Sequence, residues 1–366
     1  MKTICVTMIV KDEAPIIKRN IDSWKDYADY WIIVDTGSTD GTQEIIKKEL
    51  AGTNGELIER PWIHMGHNRT EAFELSKDKA DYHFVIDADE TAVFEEGWRE
   101  ELESGEDYID VIVSSGDWAM DSQRLLLTKC NFYANMPWHA AFCKKSPVNN
   151  REKMARKIRL IDHHDGCRRR RSDREKHGEV ARDLEKFVKE TGSPRGQFYL
   201  AQSYKDMGEN EKAIKAYKKR IAMGGWEEEV FWAMMEIAAL KKSPKGWEEA
   251  WHYRPNRIEP LYILMNHYVR NKNNKLAYKW GKIAIRMPKM TDILFINENI
   301  HDYLLPDEFF MCCYRIGKYE EALGVGLNLL ASGKMPKGYY DRIVDNCKWA
   351  YKKMVEKRKV GRWKKS

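Results

Sequence analysis

Apolar and polar positions follow two different rhythms along this chain, and the change between them divides it. Residues 3–10 form an apolar run rich in β-branched side chains, which predicts a buried strand. Lys11-Asp12-Glu13-Ala14-Pro15 comes next, with Asp12 suited to an N-cap and Pro15 to a first helical turn. Ile17, Ile21 and Trp24 then recur at helical spacing and predict a helix packed on a sheet. Residues 31–34 predict a second strand, and Asp40 with Gln43 resembles a capping box for a helix running to Leu50. A third strand is expected over 57–59, a third helix over 68–77 and a fourth strand ending in Asp87. Residues 111–113 and 125–127 read as further strands. Strands and helices joined by short connections predict a mostly parallel α/β sheet with its ligand site beyond the carboxyl ends of the strands.

From about Arg174 the pattern is helical only. Tyr199, Leu200, Ala201, Tyr204, Gly208, Ala213 and Tyr217 match a tetratricopeptide-like helix pair, in which small residues let helices cross closely. Echoes at irregular spacing follow over 261–288 and 309–336. The expected organisation is an α/β domain over 1–170, a helical domain over 171–346 and a basic tail over 347–366. Aromatic and methionine-rich helices there read as core, and a superhelical groove would offer a surface for an acceptor or for self-association into a homo-oligomer.

Composition agrees with folded domains: 366 residues, 43% hydrophobic and 33% charged, are not a disordered chain. No apolar run reaches the roughly 18 residues of a membrane span. The start is too short for a signal h-region and reads as a first strand. Seven irregularly spaced cysteines argue against a disulfide framework or zinc site and for a reducing cytoplasm. The formal charge of +6 is concentrated in Arg168-Arg169-Arg170-Arg171 and in the tail. Such runs are usually solvated faces, although an anionic partner would also suit them.

The chemistry gathers after strand ends. Asp12, Asp35 and Asp87 each follow a strand, so the sheet should bring them to one edge. In Asp87-Ala88-Asp89-Glu90 the residues i and i+2 of an extended chain point the same way, and two such carboxylates suit a hard divalent ion. Asp35 can accept from a ribose hydroxyl or a base N–H, and Arg69 can offer a donor fork to phosphate or base. Neither G-x-G-x-x-G nor G-x-x-x-x-G-K-[ST] is present; Gly37-Ser38-Thr39-Asp40-Gly41 lacks the phosphate-cradling lysine.

Taken in order, Val10-Lys11-Asp12-Glu13, Val34-Asp35-Thr36-Gly37-Ser38-Thr39-Asp40-Gly41-Thr42, His67-Asn68-Arg69-Thr70 and Asp87-Ala88-Asp89-Glu90 resemble family 2 glycosyltransferases of the GT-A, Rossmann-like fold. Residues 198–240 and 253–262 resemble the helical appendage of a bacterial type of that family. The resemblance implies an inverting, hexosyltransferase-type enzyme that uses a nucleotide-sugar, usually a UDP-sugar, with Mn2+ or Mg2+. It sets Val10, Lys11 and Glu13 along the nucleoside, Asp35 and Thr36 near base and ribose, and Asp87 and Ala88 at the ribose or metal. Asp89 would ligate the metal, and His164, with His163 as fallback, would complete the metal and diphosphate site.

The catalytic base is not carried over. Similar proteins place a His-Glu pair after a tryptophan, and this chain has Cys143-Lys144 after Trp138. Asp117 and His139 are the base candidates. The missing pair also leaves room for a non-catalytic nucleotide-sugar-binding scaffold built on the repeats. A glycan, lipid-linked glycan or peptide is a better expected acceptor than nucleic acid, for which only basic runs beside aromatics speak.

Overall fold

The computed structural model describes residues 1–116, 118–289 and 291–363. They form two compact units, Met1–Glu209 and Asn210–Ser366.

The first unit is the expected α/β fold. Its elements begin β1 (Ile4–Val10), α1 (Ile17–Trp24), β2 (Tyr30–Asp35), α2 (Thr42–Glu49), β3 (Gly55–Glu59), α3 (Met65–Ser76) and β4 (Tyr82–Ile86). They continue with β5 (Glu90–Phe94), β6 (Tyr108–Ser115), β7 (Trp118–Leu127), β8 (Phe132–Ala134), β9 (Phe142–Lys144) and β10 (Glu152–Asp162). Eight strands make one sheet in the order β3-β2-β1-β4-β7-β6-β10-β5, and β8 pairs with β9 apart from it. Strands β3, β2, β1 and β4 run parallel, and β7 joins β4 antiparallel. Strand β10 and the edge strand β5, which no sequence pattern marked, close the far side.

The apolar runs are continuous because the parallel strands are covered on both faces. Ile4, Val6, Met8 and Val10 face Ile17, Ile21 and Trp24 of α1, while Cys5 faces the other way with Ile32, Val34 and Ala72. Two expected caps are replaced by ties between loops. Helix α1 starts at Ile17 without a side-chain cap. Asp12 instead takes a left-handed φ of 54° and accepts from the Thr39 N–H at 2.8 Å. The capping box at Asp40 and Gln43 also fails to form: Gly41 is the N-cap of α2, and Gln43 donates to Asp35 at 2.7 Å. Both carboxylates reach the neighbouring strand-end loop, Asp40 through the Ala14 N–H, while the other Asp40 oxygen accepts from the N–H and hydroxyl of Thr42 at the start of α2.

The change to helices falls where the sequence places it. Helices α4 (Asp173–Thr191) and α5 (Pro194–Asp206) nevertheless pack with the sheet, so residues 171–209, expected in the helical domain, belong to the first unit. Helix α4 opens on a capping box of Ser172 and Glu175. Its face of Val180, Ala181 and Leu184 packs on Trp138 and on Leu200 of α5.

The second unit is a tetratricopeptide-like helical array. It contains α6 (Asn210–Met223), α7 (Glu227–Leu240), α8 (Pro244–Tyr253), α9 (Glu259–Arg270), α10 (Asn274–Ala284), α11 (Leu305–Arg315), α12 (Tyr319–Ser332) and α13 (Tyr340–Trp363). Successive helices pack as neighbours, and Ala277, Ala284 and Ala322 are buried where they meet. A Cβ on Gly281 would lie 2.5 Å from Phe309, which is why α10 and α11 approach so closely there. Buried Arg257 holds Glu259 at 2.8 Å and Asp292 at 3.3 Å, which pins the segment before α11. The stretch expected as a separate tail from 347 is part of α13, with Cys347 and Ala350 in the core. No helix among the described residues is long and apolar enough to cross a membrane.

Candidate active site

The site lies in the first unit, at the carboxyl ends of the parallel strands. A cavity of about 790 Å³ is lined by Val10, Lys11, Asp12 and Glu13 after β1, by Thr36 and Asp40 after β2, and by Asp87 after β4. A second cavity of about 430 Å³ shares Ile9, Glu13, Met65, Asp87 and Arg168 with it and adds Ala88, Asp89 and Asp162. The strand-end acids thus converge as the sheet order requires.

Each loop is held from below. The Thr36 N–H and hydroxyl both donate to the Val10 carbonyl, at 2.9 and 3.0 Å, and so lock the two strand ends together. Asp35 is fully buried; one carboxylate oxygen accepts from Gly37 and Ser38 N–H groups and from Gln43. Its other oxygen, Oδ1, is buried without a partner. A buried acceptor left unpaired is costly, which suits a site where a ligand donor arrives.

Asp87 and Asp89 are brought together differently from the expectation of an extended chain. The strand ends at Ile86, and residues 87–90 turn, with the Glu90 N–H donating to the Asp87 carbonyl at 3.1 Å. Arg69 of α3 pairs with Asp87 at 2.5 Å. Partial burial pushes the Asp87 carboxyl up, but Arg69 and Arg124 outweigh it and hold the group below its ordinary value. Glu90 is buried, pairs with Arg124 at 2.6 Å and accepts from the Asp87 N–H; burial pushes its carboxyl up to about 7.

Residues 162–170 run across this turn as a strap. The His163 N–H donates to the Asp89 carbonyl at 3.0 Å, Gly166 donates to the Asp89 carboxylate at 3.3 Å, and Cys167 donates to both Glu13 oxygens. A bidentate pair between Arg19 of α1 and Asp165, at 2.9 and 2.7 Å, anchors the strap. Gly166 lets the strap pass close, since a Cβ there would lie 3.1 Å from Asp89 Oδ2 and press on that carboxylate. Burial, then the charges of Asp87 and Asp162, push the Asp89 carboxyl up. Burial likewise pushes Glu13 up, to about 7.

The residues expected to hold a metal are only partly assembled. His164 lies on the strap, with Nδ1 2.8 Å from Asp162 and 2.7 Å from Arg169, and lines neither cavity. Among the described residues no group of three or more His, Cys, Asp and Glu is placed to hold a metal ion. The donor set that remains is oxygen only, which fits a hard divalent ion that takes its other ligands from substrate phosphates and water. His163 is turned to Thr91 at 2.8 Å.

Of the base candidates, Asp117 lies outside the described residues. His139 has a left-handed φ of 52° and stacks on Tyr199 of α5, ring centroids 4.1 Å apart, and it lines neither cavity. Desolvation, together with Arg168 and Arg195, pulls this imidazole down to about 4, which makes it a weak base at neutral pH. Cys143-Lys144 sits on β9, where Lys144 pairs with buried Asp107 at 3.0 Å. The arginine run is exposed from Arg169 to Arg171, as a solvated face is, and it also reaches protein partners. Arg168 lies over the Trp138 ring at 4.0 Å, Arg170 donates to the Asp12 carbonyl at 2.5 Å, and Arg171 pairs with Glu179 at 2.9 Å.

What the sequence did not reveal is the contribution of α4. Glu179 and Arg182 line the larger cavity and Lys176 and His177 the smaller one. Glu179 and Asp183, one turn apart, accept from the indole N–H groups of Trp62 and Trp138 at 2.7 and 2.8 Å. The available signal was the Ser172-x-x-Glu175 capping box, followed by polar residues at 176, 179 and 183 opposite an apolar face.

Against this geometry the comparisons are specific for the first unit. Residues 5–113 match the model of glycosyl transferase family 2. That stretch runs from β1 into β6, and over it the first unit is similar to family 2 glycosyltransferases. Among curated relatives, an uncharacterized glycosyltransferase of Rickettsia bellii is 38% identical over 89 residues, 24% of this chain and 28% of its own length. A second one, from Rickettsia prowazekii, is 37% identical over 90 residues, 25% of this chain and 29% of its own. A TPR repeat-containing protein of Synechococcus elongatus is 34% identical over 101 residues, 27% of this chain and 23% of its own. The chain thus spans about a quarter of the length of the curated relatives it matches. Among solved structures, the TPR protein YrrB overlays 47% of this chain and 83% of its own, with 18% identity and a TM-score of 0.35. MamA overlays 53% of this chain and 97% of its own, with 14% identity and a TM-score of 0.31. The cavity-lining residues Val10, Lys11, Glu13, Thr36 and Asp87 all fall inside the stretch that matches the family 2 model, whereas the strap and α4 lie beyond residue 113.

Proposed function

We propose that this chain transfers a sugar from a nucleotide-sugar, a UDP-sugar foremost, to an acceptor hydroxyl or comparable nucleophile, with inversion at the anomeric carbon and with Mn2+ or Mg2+. The observation that carries this reading is the convergence of Val10, Lys11, Glu13, Thr36 and Asp87 on one cavity at the sheet edge within the stretch that matches the family 2 model. Val10, Lys11 and Thr36 line the nucleoside, and buried Asp35 holds the loop beneath base and ribose by accepting from Gly37, Ser38 and Gln43. Asp89, with Asp87, holds one divalent ion. Two carboxylates and burial crowd Asp89, and a cation relieves that repulsion. When bound, the ion supplies Lewis-acid stabilisation of the departing diphosphate. Arg69 keeps Asp87 ionised and oriented, and the strap keeps Asp89 facing the cavity through Gly166. The acceptor is a glycan, lipid-linked glycan or peptide ahead of nucleic acid, because the arginine run that would attract a polyanion is engaged within the unit.

The test is a thermal-shift panel of nucleotide-sugars with and without Mn2+, followed by UDP release from the best donor. A ligand that binds the folded state raises its stability as RT ln(1 + [L]/Kd), so the true donor stands out. Asp89→Ala should lose the Mn2+-dependent part of UDP binding and slow UDP release at least about 100-fold, while the unfolding midpoint without ligand stays near wild type. An Asp89→Ala protein as active as wild type would rule out the metal role.

A further inference from the structure

Resting on the glycosyl-transfer reading above, we propose that His177 of α4, backed by Asp206 of α5, is the general base that takes the acceptor's proton. The smaller cavity is lined by Asp87 and Asp89, the residues proposed to hold the ion and the donor's leaving group, and by Lys176 and His177. A nucleophile entering it lies between the reacting end of the donor and an imidazole. His139, His163 and His164 line neither cavity, so His177 is the imidazole the fold delivers there.

The carboxylates around that space are committed elsewhere. Glu13 accepts both bonds from Cys167, Asp87 pairs with Arg69, Glu90 is buried against Arg124, and Asp162 accepts from the His164 N–H. Asp89 is assigned to the ion. His177 has a carboxylate behind it: its Nδ1 lies 3.9 Å from Asp206 Oδ2, within ion-pair distance once the imidazolium forms. Asp173 on its own helix adds negative charge nearby. Lys176, Arg168 and Arg169 also line the cavity, and His139 lies near enough to feel the charge of His177. Imidazole is the side chain whose ordinary titration matches proton transfer near neutral pH.

The step balances without a further reagent. As the acceptor oxygen attacks, its lone pair forms the bond to the anomeric carbon, and its proton passes to Nε2 of His177. The anomeric carbon–oxygen bond to the diphosphate breaks with its electron pair on the diphosphate oxygen. The imidazolium then loses the proton to solvent.

The test uses the whole chain with Mn2+ and the UDP-sugar selected by thermal shift, with water as the probe acceptor and UDP release as the readout. UDP binding is measured in parallel by calorimetry. His177→Gln should slow UDP release about 100-fold or more while UDP affinity with Mn2+ stays within about twofold, and the rise of rate with pH on the acid side should disappear. Asp206→Asn, which keeps the shape and removes the charge, should move that acid limb to lower pH; it serves as the independent variant should His177→Gln prove unfolded. A His177→Gln protein that releases UDP within about threefold of wild type, with the same acid limb, overturns the base assignment and leaves glycosyl transfer standing. A wild-type chain that neither binds UDP nor releases it from any donor overturns the glycosyl-transfer reading, and the role of His177 with it.

Discussion

Individual side chains in the first unit are set by burial as much as by pairing, and His83 on β4 shows the consequence most simply. It is buried against Phe73, with Nδ1 2.6 Å from the Ser76 hydroxyl, and burial pulls its imidazole down to about 3. In the unfolded chain a histidine titrates near 6.5. Between those pH values the unfolded chain binds a proton that the folded chain refuses, so stability falls as pH is lowered from about 6.5 toward 3. His83→Gln keeps a hydrogen-bonding group and removes the titration. Its thermal midpoint should therefore fall less steeply than wild type between pH 6.5 and 4, and parallel slopes would contradict the assignment. The same scale explains which site residues could be read from the sequence. Val10, Glu13, Asp35, Thr36 and Asp87 follow apolar runs directly, and a strand end fixes where they go. The partners Arg124 and Asp162 come from strands whose neighbours are settled only by the sheet order.

Among the elements, α3 is the one most tightly bound to the site. Its first turn presses on the segment before β9, with the Gly66 N–H donating to the Pro137 carbonyl at 2.9 Å. A Cβ at Gly66 would lie 2.0 Å from the Met136 carbonyl oxygen, so a side chain there forces helix and loop apart. Gly66→Ala should cost at least about 2 kcal/mol by denaturant unfolding and should weaken UDP binding, because the same helix carries Arg69. Unchanged stability would mean that the loop yields freely. Elements of this kind were legible in outline: three of the early helices and the parallel strands follow from alternation alone. Their starts were not, because Asp12 and Asp40 hydrogen-bond between loops that only the folded sheet brings side by side. Helix α4 was legible as a helix and illegible as a wall of the site. A charged helical face reads as solvated until the structure shows Glu179 and Asp183 bound to tryptophans.

At the scale of the molecule, the boundary of the first unit matters more than the boundary of the sheet. A fragment of residues 1–209 retains α4 and α5 and should bind UDP with Mn2+ about as the whole chain does. A fragment of residues 1–170 keeps every strand yet lacks Lys176, His177, Glu179 and Arg182, and it exposes Trp138. It should bind UDP weakly and associate in size-exclusion chromatography; equal binding by both fragments would show that α4 is dispensable for the donor. The division also bears on how the protein is made. During synthesis the strands leave the ribosome first, and the helix that covers Trp62, Met65 and Trp138 follows only later. At about 5–20 residues per second, that apolar face waits uncovered for several seconds in every nascent chain. The pairing of two indoles with two helix carboxylates is therefore also the event that ends the chain's period of stickiness, and a chaperone that recognises exposed aromatic surface has its window there.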